Sequence, residues 1–85
     1  MKKILVIDDE KDFGFFIEQN LELTGLYNVV VVNDPRDGVK AAVRQKPDLI
    51  ILDVIMPGMS GFDVLAELKE NRATTSIPVI MLRRG

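Results

Sequence analysis

With 11 Lys or Arg against 13 Asp or Glu and no His, the 85-residue chain carries a net charge of −2, and so lacks the basic footprint that nonspecific nucleic-acid binding needs. Hydrophobic residues at 47% and charged residues at 28% fall in the globular range, which excludes a disordered or fibrous chain. The absence of Cys and His excludes disulfide staples, thiolate zinc sites and Ser-His-Asp or Cys-His catalysis, leaving carboxylates, hydroxyls, Lys, Arg and backbone to carry any chemistry.

The first apolar run, Ile4–Ile7, follows Lys2-Lys3. It is far shorter than the roughly 20 residues a spanning helix needs and has no cleavage site behind it, so it reads as a strand of a cytoplasmic protein rather than a signal or membrane anchor. From Lys11 to Thr24 the spacing predicts a helix whose apolar arc holds Phe13, Phe16, Ile17, Leu21 and Leu23, with Phe15 on the opposite side. Gly25 is placed to stop it. Val29–Val32 is a second strand. Asp34-Pro35 opens a second helix, with Asp34 as cap, Pro35 in the first turn and Val39, Ala42 and Val43 as its narrow apolar face. Pro47 lies past its end, and Leu49–Leu52 is a third strand running straight into Asp53. Ser60 with Asp63 three residues on forms a capping-box pattern. The helix it opens carries Phe62, Leu65, Ala66 and Leu68 inward and ends near Asn71; Pro78 then precedes a fourth strand, Val79–Leu82.

None of the four apolar runs alternates with polar residues, so each is expected to be buried on both faces of a parallel sheet. The order β-α-β-α-β-α-β, closed by right-handed crossovers, implies an α/β doubly wound fold with helices on both faces. Residues 1–85 are read as a single domain. Asp8 and Asp9 follow the first strand directly and Asp53 ends the third. Ligands of open parallel sheets bind outside the carboxyl ends of the strands. If those two strands are neighbours, three carboxylates converge there, an all-oxygen set that suits Mg²⁺.

Four blocks taken together resemble the receiver domain of bacterial two-component response regulators. They are Lys3-Ile4-Leu5-Val6-Ile7-Asp8-Asp9-Glu10, Pro47-Asp48-Leu49-Ile50-Ile51-Leu52-Asp53, Met56-Pro57-Gly58-Met59-Ser60-Gly61 and Ile77-Pro78-Val79-Ile80. The resemblance runs from Lys2 to Leu82. It implies a flavodoxin-like sheet, the family for which strand order 2-1-3-4-5 is the general rule, here as 2-1-3-4. It also implies that Asp53 is the phosphoacceptor, taking a phosphoryl group from a sensor histidine kinase or phosphotransfer protein. Asp9 would bind Mg²⁺ directly, Asp8 mainly through water, and Ile55 through its backbone carbonyl. The domain would be no enzyme beyond catalysing its own phosphorylation and dephosphorylation, and would contact neither nucleic acid nor membrane. A docking role for Phe15 is compatible with partners that approach the first helix.

Two departures stand out. Where the resemblance implies a Ser or Thr after the fourth strand, whose hydroxyl reports phosphorylation, this chain has Arg83, with Arg84 in place of a small residue. The family's further helix, strand with a phosphoryl-pairing Lys and last helix, out of about 120 residues of an ordinary domain, do not follow Leu82 here. From these come three expectations: a fourth-strand edge open to homodimerisation or domain swapping, a competing reading as a non-signalling fragment acting through association, and a weak third reading as an aspartyl-nucleophile phosphatase. The last wants an Asp-x-Asp pair on the first strand, whereas the acids here are adjacent.

Overall fold

The computed structural model describes residues 1–83. Four strands alternate with helices: β1 Lys2–Ile7, α1 Lys11–Glu22, β2 Tyr27–Val32, a 3-10 turn Pro35–Asp37, α2 Gly38–Gln45, β3 Leu49–Asp53, α3 Gly61–Glu70 and β4 Val79–Leu82. All strand pairs are parallel and the order is β2-β1-β3-β4, the doubly wound arrangement expected. Central β1 and β3 pair in register from Ile4 with Leu49 to Ile7 with Leu52. Their β-branched and leucine side chains fill both faces of the sheet, as buried parallel strands require.

One core lies under α2 and α3, where Leu5, Ile7, Ile50 and Leu52 meet Ala41, Ala42, Val64 and Leu68. The other lies under α1, where Ile4, Val6 and Val29 meet Ile17, Leu21, Leu49 and Ile51. The edge strands do not follow the expectation of burial on both faces. In β2 only Val29 is fully buried, and in β4 none of the four residues is, with Ile80 49% exposed.

The helix faces also differ in part from those expected. Ile17 and Leu21 on α1, Val39 and Ala42 on α2, and Leu65 and Leu68 on α3 face the core as expected, whereas Phe16 on α1, Leu23 just past it, Val43 on α2, and Phe62 and Ala66 on α3 lie outward. The buried positions are Gly14 on α1, Gly38, Ala41 and Ala42 on α2, and Gly61, Val64 and Leu68 on α3. The cause is close approach of backbone to sheet. A Cβ at Gly14 would stand 2.7 Å from Val31 Cγ1, and one at Gly38 would stand 2.9 Å from Ile7 Cδ1. Each helix therefore makes its closest approach at a glycine, and its buried arc is shifted toward that residue and away from the edge where Phe16, Val43 and Phe62 stand.

Helix ends follow their local chemistry. Ser60 caps α3 in a full capping box, Asp34 accepts from Arg36 N at 2.9 Å to cap the 3-10 turn, and Gly25 takes φ +74° past α1. Between α3 and β4, Thr74 is buried and its hydroxyl donates to the Leu68 carbonyl at 2.6 Å, satisfying a group that would be costly to bury unpaired.

Candidate functional site

The carboxyl ends of β1 and β3 are adjacent, so the residues that leave them are brought together. Asp8, Asp9 and Asp53 each present a carboxylate oxygen, and these atoms lie within 4.8 Å of one another. Asp8 and Asp53 are 1% and 2% exposed, and Asp9 is half-buried. Two ionised carboxylates that close repel by on the order of 3 kcal/mol at an effective dielectric near 20. Gathering two buried carboxylates and a half-buried one at one rim is a disposition that a cation offsets.

Backbone bonds hold the trio. Glu10 N donates to Asp8 Oδ1 at 2.9 Å, an Asx-type turn that ends β1 and starts α1. Ile55 N donates to Asp53 Oδ1 at 3.3 Å. The loop after Asp53 is stiffened by Pro57 and turned by Gly58 at φ +79°, a conformation that favours glycine. Gly61 serves a different purpose. Its N–H donates to the Val54 carbonyl at 2.8 Å, and a Cβ there would overlap the Asp53 carbonyl oxygen, so α3 starts directly against the end of β3.

A cleft of 270 Å³ opens on the trio, lined by Asp9, Glu10, Asp53, Ile55 and Pro57. Ile55, the fourth candidate ligand, thus borders the same cleft; its side chain is 63% exposed. A larger cavity of 680 Å³ shares Asp9 and Pro57 and is lined further by Asn33, Asp34 and Arg36. At its lip Arg36 makes a two-pronged ion pair with Asp34, Nε to Oδ1 at 3.1 Å and Nη2 to Oδ2 at 2.8 Å. The side-chain bond to Arg36, followed by its backbone N–H, holds the Asp34 carboxyl below its ordinary range.

The donor set fits a hard divalent cation. All its donors are oxygen, and Asp9 Oδ1 is buried with no hydrogen-bond partner among the described residues, poised as a ligand atom. Two opposed oxygens on one Mg²⁺ span about 4.2 Å, twice a bond of about 2.1 Å. A trio separated by up to 4.8 Å therefore suits an ion that reaches one carboxylate through water or draws the rim slightly closed.

Of the other positions singled out, Arg83 follows β4 and is exposed, while Arg84 lies outside the described residues. Leu82 registers with Asp53, which places Arg83 one residue beyond the site's level. Phe15 is 59% exposed, as its opposite-face position implied, but Phe16 at 61% joins it. Asn33, absent from the sequence candidates, donates from Nδ2 to the Asp8 carbonyl at 2.9 Å. Its signal was available: it is the first polar residue after an apolar strand that ends at the same rim. No helix among the described residues is long and apolar enough to cross a membrane.

Comparison with known proteins gives a consistent result. Residues 4–84 match the response regulator receiver domain. The chain is 40% identical over 81 residues to the alkaline phosphatase synthesis transcriptional regulatory protein PhoP of Bacillus subtilis, covering 95% of this chain and 32% of that protein. Among solved structures it is similar to the N-terminal domain of a response regulator receiver protein from Methanoculleus marisnigri, with TM-score 0.90 and 32% identity over 95% of this chain and 65% of the other. It is likewise similar to the signal receiver domain of a signal transduction histidine kinase from Syntrophus aciditrophicus, with TM-score 0.87 and 35% identity over 96% and 61%. The chain thus spans about a third of that curated relative and under two thirds of these two solved chains.

Proposed function

This chain belongs to the response regulator receiver domains of two-component signalling, and we propose that Asp53 accepts a phosphoryl group at a Mg²⁺ site formed by Asp8, Asp9, Asp53 and the Ile55 carbonyl. The observation that carries the reading is the convergence of three carboxylates from two strand ends within 4.8 Å. Mg²⁺, when bound, would neutralise charge on the transferring oxygens. The chain's own residues do the rest. Asp53 presents an oxygen in line with the phosphorus of a phosphohistidine; the new P–O bond forms as the P–N bond breaks, and the electron pair leaves on the imidazole nitrogen, which takes up a proton. The Ile55 N–H on Asp53 Oδ1 helps fix the carboxylate's rotation. Asp9 and Asp8 would hold the cation beside it, and Pro57, stiffening the loop after Asp53, forms one wall of the cleft.

The donor is a sensor histidine kinase or phosphotransfer protein of the cytoplasm, docking along α1 where Phe15 and Phe16 stand exposed. The domain catalyses its own phosphorylation and dephosphorylation and turns over no separate substrate. A second reading, association without phosphoryl signalling, is favoured by two observations: Arg83 occupies the place of the reporting hydroxyl, and Ile80 is 49% exposed. Under it, a second copy pairs through the β4 edge.

Incubation with Mg²⁺ and acetyl phosphate decides. A hydroxylamine-labile phosphate present in the native chain and absent from Asp53→Asn is expected. Mg²⁺ binding without any incorporation favours the second reading, and steady hydrolysis of phosphate esters would overturn both.

A further inference from the structure

We propose that Asn33 is a positioning residue of the cation site, aiming the Asp9 carboxylate through the main chain of Asp8; the inference rests on the Mg²⁺ reading above. The β1–β2 register ends at Ile7 with Val32, and one further ladder bond follows, from Asp8 N to the Val32 carbonyl at 3.0 Å. A parallel ladder would next supply a main-chain N–H to the Asp8 carbonyl. The chain has by then turned into the 3-10 segment, with Asp34 as its cap and Pro35 in its first turn. The Asn33 side chain takes over the donor's part, Nδ2 to the Asp8 carbonyl at 2.9 Å.

That bond matters because of what Asp9 lacks. Its Oδ1 is buried and accepts no hydrogen bond among the described residues, so the direction of this carboxylate is set by the peptides on either side of it. The preceding one is held at the Asp8 carbonyl by Asn33. The following one is held at Glu10 N by Asp8 Oδ1, 2.9 Å, and Glu10 in turn accepts from Gly14 N at 3.1 Å as α1 begins. Beyond the last ladder bond from Asp8 N to Val32, Asn33 supplies the side-chain clamp that reaches this corner from the end of β2. It ties the Asp8–Asp9 corner to β2, and both Asn33 and Asp9 line the 680 Å³ cavity.

A group that orients a metal ligand commonly changes metal affinity by about tenfold or more when removed. Mg²⁺ demands near-ideal octahedral geometry, whereas Ca²⁺ tolerates variable coordination. Loss of aim therefore falls mainly on Mg²⁺, while simple loss of fold weakens both ions alike. Isothermal titration of the metal-free chain with MgCl₂ and, separately, CaCl₂ at fixed ionic strength reads the difference. For Asn33→Ala, a rise in the Mg²⁺ dissociation constant of about tenfold is expected, with a change of less than about threefold for Ca²⁺. Asn33→Asp keeps the shape and removes the donor. Its added charge favours both ions similarly, so the same fall in Mg²⁺-over-Ca²⁺ preference is expected, and it decides the matter where the alanine variant does not fold. Unchanged preference in the folded variant, whether affinities hold or drop together, overturns the positioning role while leaving the cation site intact. Absence of Mg²⁺ binding in the native chain overturns both.

Discussion

On the face that α2 and α3 cover, Leu5, Ile7, Ile50, Leu52, Val64 and Leu68 are all fully buried; on the α1 face only Ile4, Val6 and Val29 come close to that state among the described residues, and Ile80 is 49% exposed. The strand alternation that puts Ile4 and Val6 on the thinner face continues to Asp8, and that of Leu49 and Ile51 continues to Asp53. Asp8 and Asp53 therefore continue the lightly covered side of strands whose other side is anchored in the thick core, while Asp9, one residue on from Asp8, joins them where β1 has already ended. A rigid rear and an open front hold the carboxylates in place while leaving the cleft at their rim accessible. It also means that truncating a fully buried residue behind the sheet should cost far more stability than changing the exposed Ile80 in front.

Leu52→Ala is the largest expected effect. Leu52 is fully buried next to Asp53, and truncation of such a leucine typically costs about 2–5 kcal/mol, a large part of the 5–15 kcal/mol that holds an ordinary domain. Ile80→Thr on the open side keeps the β-branch and should change stability by no more than about 0.5 kcal/mol. Urea denaturation followed by far-UV circular dichroism compares the two. Equal losses would mean that the α1 face carries the fold as much as the other, and the contrast would be void.

Gly61→Ala comes next and ties the rear to the site. Its Cβ would stand 2.8 Å from Val54 Cα and overlap the Asp53 carbonyl oxygen; backbone on both sides leaves nowhere for it to go. Overpacking of this kind costs about 1–3 kcal/mol. Because α3 must shift off the end of β3, Mg²⁺ affinity should fall with stability. Gly14→Ala meets the Val31 side chain instead, which can yield, so the same titration should find its Mg²⁺ affinity less affected.

Those glycines also mark where sequence reasoning stops. The strands, their parallel orientation and the capping box at Ser60 were legible from local chemistry, whereas the order that makes β1 and β3 neighbours, and with it the crowding of Asp8, Asp9 and Asp53, came from the family resemblance. The helix faces were legible only in part: Ile17, Leu21, Ala42, Leu65 and Leu68 turn inward as expected, and their larger neighbours do not. A periodicity argument weighs side chains, and so turns Phe16, Val43 and Phe62 inward, whereas the closest approach of helix to sheet is made where there is no side chain to weigh. Nor does a run such as Val79–Leu82 reveal that it lies at a sheet edge, since composition alone does not distinguish a covered strand from an uncovered one. Asn33 escaped for a related reason: a single Asn after a strand reads as a turn residue until the Asp8 carbonyl is known to lie 2.9 Å from its Nδ2.

The smallest effect belongs to a pair that neither core covers. Asp34 and Arg36 are joined by two side-chain bonds and a backbone one, yet their side chains are 38% and 80% exposed, so solvent and salt screen the attraction. The Arg36 side-chain bond, then its backbone N–H, lowers the Asp34 carboxyl from its ordinary value. A carboxyl depressed on folding stabilises the fold fully above its unfolded pKa, about 3.9, and loses that contribution as pH falls through the lower folded value. The gap in thermal midpoint between the native chain and Arg36→Ala should accordingly be small and flat from about pH 5 to 8, and should close below about pH 4. Added NaCl should shrink it throughout. A gap that stayed large in high salt would show that the rim beside Asp9 is coupled to the buried core, and that the open front of the domain is stiffer than its exposure implies.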